Sequence, residues 1–211
     1  TRGLVSPELF IPIAEDTGMI ADLSLSVMRQ AFEEARSWDA SLSLSVNISP
    51  MQLKDPWLAQ KMVKLLTETG FPANRLEVEI TETALVADPS RIVPVLTRLD
   101  GMGIRVSIDD FGIGTTSISQ LRDLPVAQLK IDQLFIADLG SRADAQGSEV
   151  VVQAMVDLAH SFGLVVIAEG VEDLDQADEL HRLGCQSVQG YLYSRPVSAD
   201  DFAKHWLMPA L

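Results

Sequence analysis

The chain has 211 residues, 47% hydrophobic and 22% charged, which excludes a disordered tail, a collagen-like fibre and a disulfide-stapled mini-protein. Thirty Asp and Glu against sixteen Lys and Arg give a net charge of −14. That argues against DNA or RNA polymers as partners, because phosphates need a basic footprint, but it leaves a phosphate substrate open if metal ions supply positive charge.

Cys185 is the single cysteine; no internal disulfide can form, and a reducing, cytoplasmic location is expected. No run reaches the roughly 18 apolar residues of a membrane span, and Thr1-Arg2-Gly3 does not open a signal peptide. A membrane anchor elsewhere in a parent protein stays compatible with this. The chain starts without Met, so a boundary or cut before Thr1 is expected.

Residues 24–38 read as a helix leading to an apolar run at 42–48, which ends in Asn47-Ile48-Ser49-Pro50. Asp55-Pro56 reads as the N-cap and first-turn proline of the next helix. Trp57, Leu58, Met62, Leu65 and Leu66 form its apolar stripe, and it stops before Gly70. Residues 76–81 alternate strictly and predict a strand. Asp88-Pro89 opens a helix through Ile92, Val95, Leu96 and Leu99, with Pro94 expected to kink it unless it falls in the first turn.

The apolar run 104–108 then leads into Asp109-Asp110-Phe111-Gly112. A short helix at 117–124 precedes a strand at 128–132, and 140–147 reads as a surface loop. The helix at 148–162 is followed by the strand 164–168 and Glu169-Gly170. The helix at 174–183 is followed by 187–188 and Gln189-Gly190-Tyr191.

Six strand-then-helix units imply a parallel sheet covered by helices, closed as an open doubly wound sheet or as a (β/α)8 barrel. A barrel normally needs about 250 residues and eight strands, so six strands fit one whose first strands are missing. The polar residues favour the barrel. Asn47, Glu79, Asp109, Lys130, Glu169 and Gln189 each fall at the C-terminal end of a different strand, and in a barrel those ends surround one mouth.

Glu77 and Glu79 share one face of their strand, and Lys130 and Asp132 share one face of theirs. Charges pointing into a barrel must be paired, hydrated or metal-bound. A single carboxylate is better read as a surface or structural acid, and Asp109-Asp110 alone fits either reading equally; the set together suits hard cations, Mg²⁺ or Mn²⁺. His160, His181 and His205 join no cluster, and Cys185 reads as a small buried residue. Trp38, Trp57 and Trp206 read as core or helix-packing residues. Gly112 and Gly114 have the wrong spacing for a nucleotide fingerprint and fit a tight turn.

As a set, these motifs resemble the EAL domain, the bacterial cyclic-di-GMP phosphodiesterase family. The matching stretches are Gly3-Leu4-Val5-Ser6-Pro7 through Phe10-Ile11-Pro12, Asn47-Ile48-Ser49-Pro50, Glu79-Ile80-Thr81-Glu82, Asp109-Asp110-Phe111-Gly112 and Lys130-Ile131-Asp132. They continue with Ala168-Glu169-Gly170-Val171-Glu172, Gln189-Gly190-Tyr191 and Ser194-Arg195-Pro196.

The resemblance implies a (β/α)8 barrel holding two Mg²⁺ or Mn²⁺ ions and hydrolysing cyclic-di-GMP to linear pGpG. Carried over, Asn47, Glu79, Asp109, Asp110 and Glu169 are the metal ligands. Lys130 holds the attacking water, and Gln189 acts near the water and metal shell. Glu82 anchors the loop after Asp110, and Glu172 orients the Glu169 segment. The family's Glu-Ala-Leu signature is absent and is expected before Thr1, so residues 1–211 read as one N-terminally incomplete domain of this type. The loop Gly112-Ile113-Gly114-Thr115-Thr116-Ser117 departs from the family pattern of Thr, then an aromatic and Ser. The main alternative is a catalytically inactive cyclic-di-GMP receptor; an unrelated metal-dependent barrel enzyme needs the motif run to be coincidence. Family members often dimerise near the Asp110 loop and are commonly fused to sensory or GGDEF modules, so a homodimer and an upstream partner domain are also implied.

Overall fold

Strands with one apolar and one polar face need helices on the first and something other than a hydrophobic core on the second. The computed structural model, which describes residues 3, 5–114, 117–139 and 145–207, shows that division. In chain order the elements are helices α1 (Pro7–Asp16) and α2 (Ile20–Ala35), strand β1 (Leu44–Asn47), helices α3 (Pro50–Leu53) and α4 (Leu58–Thr69), and strand β2 (Leu76–Thr81). Helices α5 (Glu82–Ala87) and α6 (Pro89–Asp100), strand β3 (Arg105–Phe111), helix α7 (Ile118–Arg122), strand β4 (Gln128–Ile131) and helix α8 (Gln133–Ile136) follow. The chain continues through helix α9 (Ala145–Ser161), strand β5 (Val165–Ala168), helix α10 (Leu174–Arg182), strand β6 (Ser187–Val188) and helix α11 (Ala199–Phe202).

Among the described residues the six strands form one parallel half-barrel sheet in sequence order, β1 to β6. Val78, Ile80, Val106, Ile108, Leu129, Ile131, Val166 and Ala168 face outward and are buried against helical side chains such as Met62, Leu96, Leu99, Val152 and Val156. Burying each large aliphatic side chain contributes about 1.5–3 kcal/mol, so this outer layer is the main stabilising core. The other face carries Glu77, Glu79, Arg105, Ser107, Asp109, Gln128 and Lys130, brought level by the register. Asn47 pairs with Glu79, Thr81 with Asp109, Ser107 with Gln128 and Lys130 with Ile167.

Several elements differ from the sequence reading. Helix α4 starts at Leu58, and Asp55 accepts from Trp57 N and pairs with Lys61, so Asp55 closes the turn before the helix instead of capping it. That turn leaves Trp57 64% exposed, outside the core stripe. Trp206 is also exposed, while Trp38 packs on the core and on Phe202. Helix α6 continues through Pro94, although the proline lies past the first turn. Helix α1 and the short helices α3, α5, α8 and α11 have no counterpart in the sequence reading, and two of them are capped by residues just past strand ends: Ser49 accepts from Met51 N, and Asp132 accepts from Leu134 N. Of the expected loop at 140–147, residues 140–144 lie outside the described residues and 145–147 already belong to α9.

Between the edge strands β1 and β6 lies a groove of about 1060 Å³, lined by Trp38, Leu44, Val188, Gln189, Tyr191 and Trp206. No described helix is long and apolar enough to cross a membrane.

Candidate metal centre

The polar strand ends converge on Lys130. Its Nζ lies 2.9 Å from Glu79 Oε1 and 3.3 Å from Asp109 Oδ1, and it also pairs with Glu169 Oε1. Three strands thus contribute acids to one lysine on a fourth: Glu79 from β2, Asp109 from β3 and Glu169 from the residue after β5. Lys130 and Glu79 are both buried. Burial works against the Lys130 ammonium, but Glu79, Glu169 and Asp109 outweigh it and hold the lysine above its ordinary range. Glu169 is pushed up by burial, against the pull of Lys130, with Asp109 and Glu79 adding repulsion.

A regular strand would send Asp109 and Asp110 to opposite faces. The β3–β4 register shifts between Ile108 and Phe111, and Asp110 has φ +55°, the only described non-glycine residue in the left-handed region. This bulge turns the second acid toward the same mouth. Ligand oxygens of Asp109, Asp110 and Glu169 lie within 4.8 Å of one another. Asp110 is pushed up by burial and by Asp109, with the neighbouring Asp132 carboxylate adding to both.

These residues fit a divalent cation. Asp109 Oδ1 is buried without a hydrogen-bond partner, its nearest counter-charge being the Lys130 ammonium. The acids are hard oxygen donors facing one point, and one lysine cannot neutralise four of them.

The surrounding turns hold the acids in place. Glu82, at the start of α5, accepts from Gly112 N at 2.9 Å and Gly114 N at 3.1 Å. Gly112 has φ +103°, and a Cβ there would stand 2.4 Å from Met155 Cε, so only glycine fits the turn after the acids. Glu169 N donates to Ile131 O, Gln189 N to Ala168 O and Val171 N to Gln189 O, which continues the sheet ladder past the strand ends. A Cβ on Gly190 would come within 2.1 Å of Val171 O, so that ladder also needs glycine.

The structure therefore brings together Glu79, Asp109, Asp110, Lys130 and Glu169, with Glu82 behind the loop. Asn47 is level with Glu79 but exposed, and Gln189 is exposed beside the groove. The Glu172 side chain is exposed; its backbone N donates to Gln176 Oε1. Sequence reasoning missed the Asp110–Asp132 contact, since Asp132 was read only as inward-facing beside Lys130. It also missed the link from Ser49 Oγ to Glu15 Oε1, 2.5 Å, which ties α1 to the turn after Asn47; no local pattern signals that pair. The three histidines are exposed, apart from the acids, and Cys185 is buried.

A family model described as "EAL domain" matches residues 1–196. "Cyclic di-GMP phosphodiesterase PA2567" of Pseudomonas aeruginosa is 36% identical over 208 residues, covering 97% of this chain and 35% of that protein. The solved structure "PaMucR Phosphodiesterase, c-di-GMP complex" matches with TM-score 0.90 at 35% identity, covering 96% of this chain and 82% of that one. A "manganese/cy-diGMP complex" of BlrP1 from Klebsiella pneumoniae matches with TM-score 0.78 at 26% identity, covering 92% of this chain and 49% of that one. The chain spans about a quarter of the length of the curated relatives it matches first. The α/β barrel-type architecture is shared with these structures.

Proposed function

Because this chain belongs to the EAL domain family, we propose that its mouth hydrolyses one phosphodiester bond of cyclic-di-GMP to give linear pGpG. The observation that carries this is the meeting of Glu79, Asp109, Asp110 and Glu169 around Lys130. The named activity of the Pseudomonas relative and the two cyclic-di-GMP complexes support the substrate. The manganese complex and the hard donor set support Mg²⁺ or Mn²⁺, two per site.

Asp109, Asp110, Glu169, Glu79 and Asn47 would hold the cations. When bound, the ions supply the charge that neutralises the substrate phosphate and acidifies a coordinated water. Lys130 keeps its protons, so it acts as a donor: its ammonium holds and orients the attacking water. Glu169 lies against Lys130, beside the water that the lysine would hold, and takes the proton that the water gives up. The water oxygen bonds to phosphorus, the P–O3′ bond breaks, and the ribose 3′ oxygen takes up the proton held by Glu169 and leaves as a hydroxyl. Gln189 stands at the rim of the mouth, while Glu82 fixes the turn after Asp110. Glu172 steadies the segment that carries Glu169.

The reading takes residues 1–211 as belonging to one catalytic domain of this type. It would work in the cytoplasm as a homodimer, fused to a sensory or GGDEF module; the greater length of the curated relatives supports the fusion. The test incubates the full-length protein with cyclic-di-GMP and Mn²⁺ and follows nucleotides by chromatography. Linear pGpG that disappears in Glu79→Ala and Lys130→Ala is the expected result. Tight binding without product would make the protein a receptor, and neither binding nor product would overturn the substrate.

A further inference from the structure

Below the mouth, the inner face of the sheet carries a second charged pair that the hydrolysis scheme leaves unused. Glu77 lies two residues before Glu79 on β2, on the same face and about 7 Å lower, and is buried. Its register partner on β3 is Arg105, whose Nε lies 3.6 Å from Glu77 Oε2. Arg105 Nη2 donates to Ser43 Oγ at 2.6 Å. Ser43 precedes β1, so the guanidinium is drawn toward the N-terminal rim of the sheet, away from the acids. Gln128 faces Glu77 from the β4 side.

Glu77 is buried while the Arg105 side chain is 39% exposed, so the pair contributes little to stability that well-packed apolar residues would not. A buried acid on the same face as Glu79 is electrostatically adverse in itself, so its presence calls for a use. Its partner supplies one. Without Glu77, Arg105 has Glu79 as the next carboxylate on the same face, one layer up, and a guanidinium there would compete with any divalent cation.

We propose that Glu77 is a positioning residue for the metal centre: it ties Arg105 to the lower end of the sheet and so keeps Glu79 and its neighbours available to cations. The inference rests on the reading of the mouth as a metal site. Together the two charges cancel, so removing both leaves the mouth as it was. Removing Glu77 alone adds one uncompensated positive charge below it.

The test titrates Mn²⁺ into full-length wild type, E77Q, R105Q and E77Q/R105Q by calorimetry, with circular dichroism confirming the fold of each. E77Q binds Mn²⁺ about fivefold more weakly, R105Q binds no more weakly than wild type, and the double variant returns to wild-type affinity. Folded E77Q with unchanged affinity overturns the inference, as does a double variant as weak as E77Q. Should E77Q not fold, R105Q decides: weakened binding in that variant contradicts the proposed role of Arg105. Wild type that binds no Mn²⁺ removes the metal reading itself, a different result from a wild type that binds and an E77Q that binds equally.

Discussion

Lys130 Nζ lies 2.9 Å from Glu79 Oε1 with both side chains buried, on strands that are not neighbours in the sheet. Among the described residues the lysine is the one cation paired with the acids of this mouth, and it serves there as a counter-charge in the absence of metal. Lys130→Met should therefore destabilise the metal-free protein by about 3 kcal/mol, because removing one partner leaves buried carboxylates uncompensated. Added Mn²⁺ should narrow the gap to wild type, since a divalent cation can replace the missing charge. Urea unfolding of both proteins, with and without Mn²⁺, measures this; a gap that the metal leaves unchanged would separate Lys130 from the cation site.

Asp110 accepts a left-handed backbone, at φ +55°, in order to face the same way as Asp109. Asn tolerates that conformation through its short polar side chain, whereas Ala does not. Asp110→Asn should thus be more stable than Asp110→Ala by about 1 kcal/mol, while both lose most of their Mn²⁺ affinity. In the metal-free state at neutral pH, Asp110→Asn should also be more stable than wild type, because it removes an acid crowded by Asp109 and Asp132. The sign with pH follows from the raised Asp110 value. The native carboxyl holds its proton at higher pH than the unfolded one, so wild type recovers stability as pH falls and the advantage of Asn shrinks. Thermal melts of the three proteins across acidic to neutral pH check both orders.

Much of this arrangement was legible in the residues. The alternation of Leu76, Val78 and Ile80 with Glu77 and Glu79 set a strand and its two faces, and helix-ending glycines such as Gly70 marked the units between strands. Where strict period two failed, the cause was local and specific. At Asp109-Asp110 a bulge overrides alternation, and consecutive acids before Phe-Gly at a strand end were its only local signal. At Trp57, an Asp-Pro turn carried the indole out of a stripe whose spacing it otherwise matched. Contacts between distant segments, such as Ser49 with Glu15 or Arg105 with Ser43, leave no trace in spacing because they depend on how the sheet curls.

Cys185 is buried, and its Sγ faces Ser187 O at 3.1 Å. Burial pushes the thiol above its ordinary value, and the thiolate is the reactive form. The folded protein should resist iodoacetamide at pH 8 and react only as fast as it unfolds. Because the native thiol keeps its proton longer than the unfolded one, its contribution to stability is lost as pH rises above the ordinary value of 9.0. Labelling followed by mass spectrometry, in buffer and in urea, gives the comparison; rapid modification of the folded chain would contradict the packing of Cys185.

Glu82 accepts two backbone N–H groups from the turn that follows Asp110, and its own side chain is buried. Hydrogen bonds to a charged acceptor contribute more than neutral ones, so Glu82→Ala should cost about 3 kcal/mol. Glu82→Gln keeps one carbonyl oxygen in place and should cost less. The local signature matters more than the total. The amides of Gly112 and Gly114 should exchange with solvent much faster in Glu82→Ala, while amides in the middle of β2 and β4 keep their protection. Loosening that turn also frees the backbone at Asp110, so Mn²⁺ affinity should fall in Glu82→Ala and recover in part in Glu82→Gln. Hydrogen exchange and metal titration on the same samples connect the two effects. If the glycine amides stay protected while metal affinity falls, Glu82 acts on the cations through its charge and not through the turn.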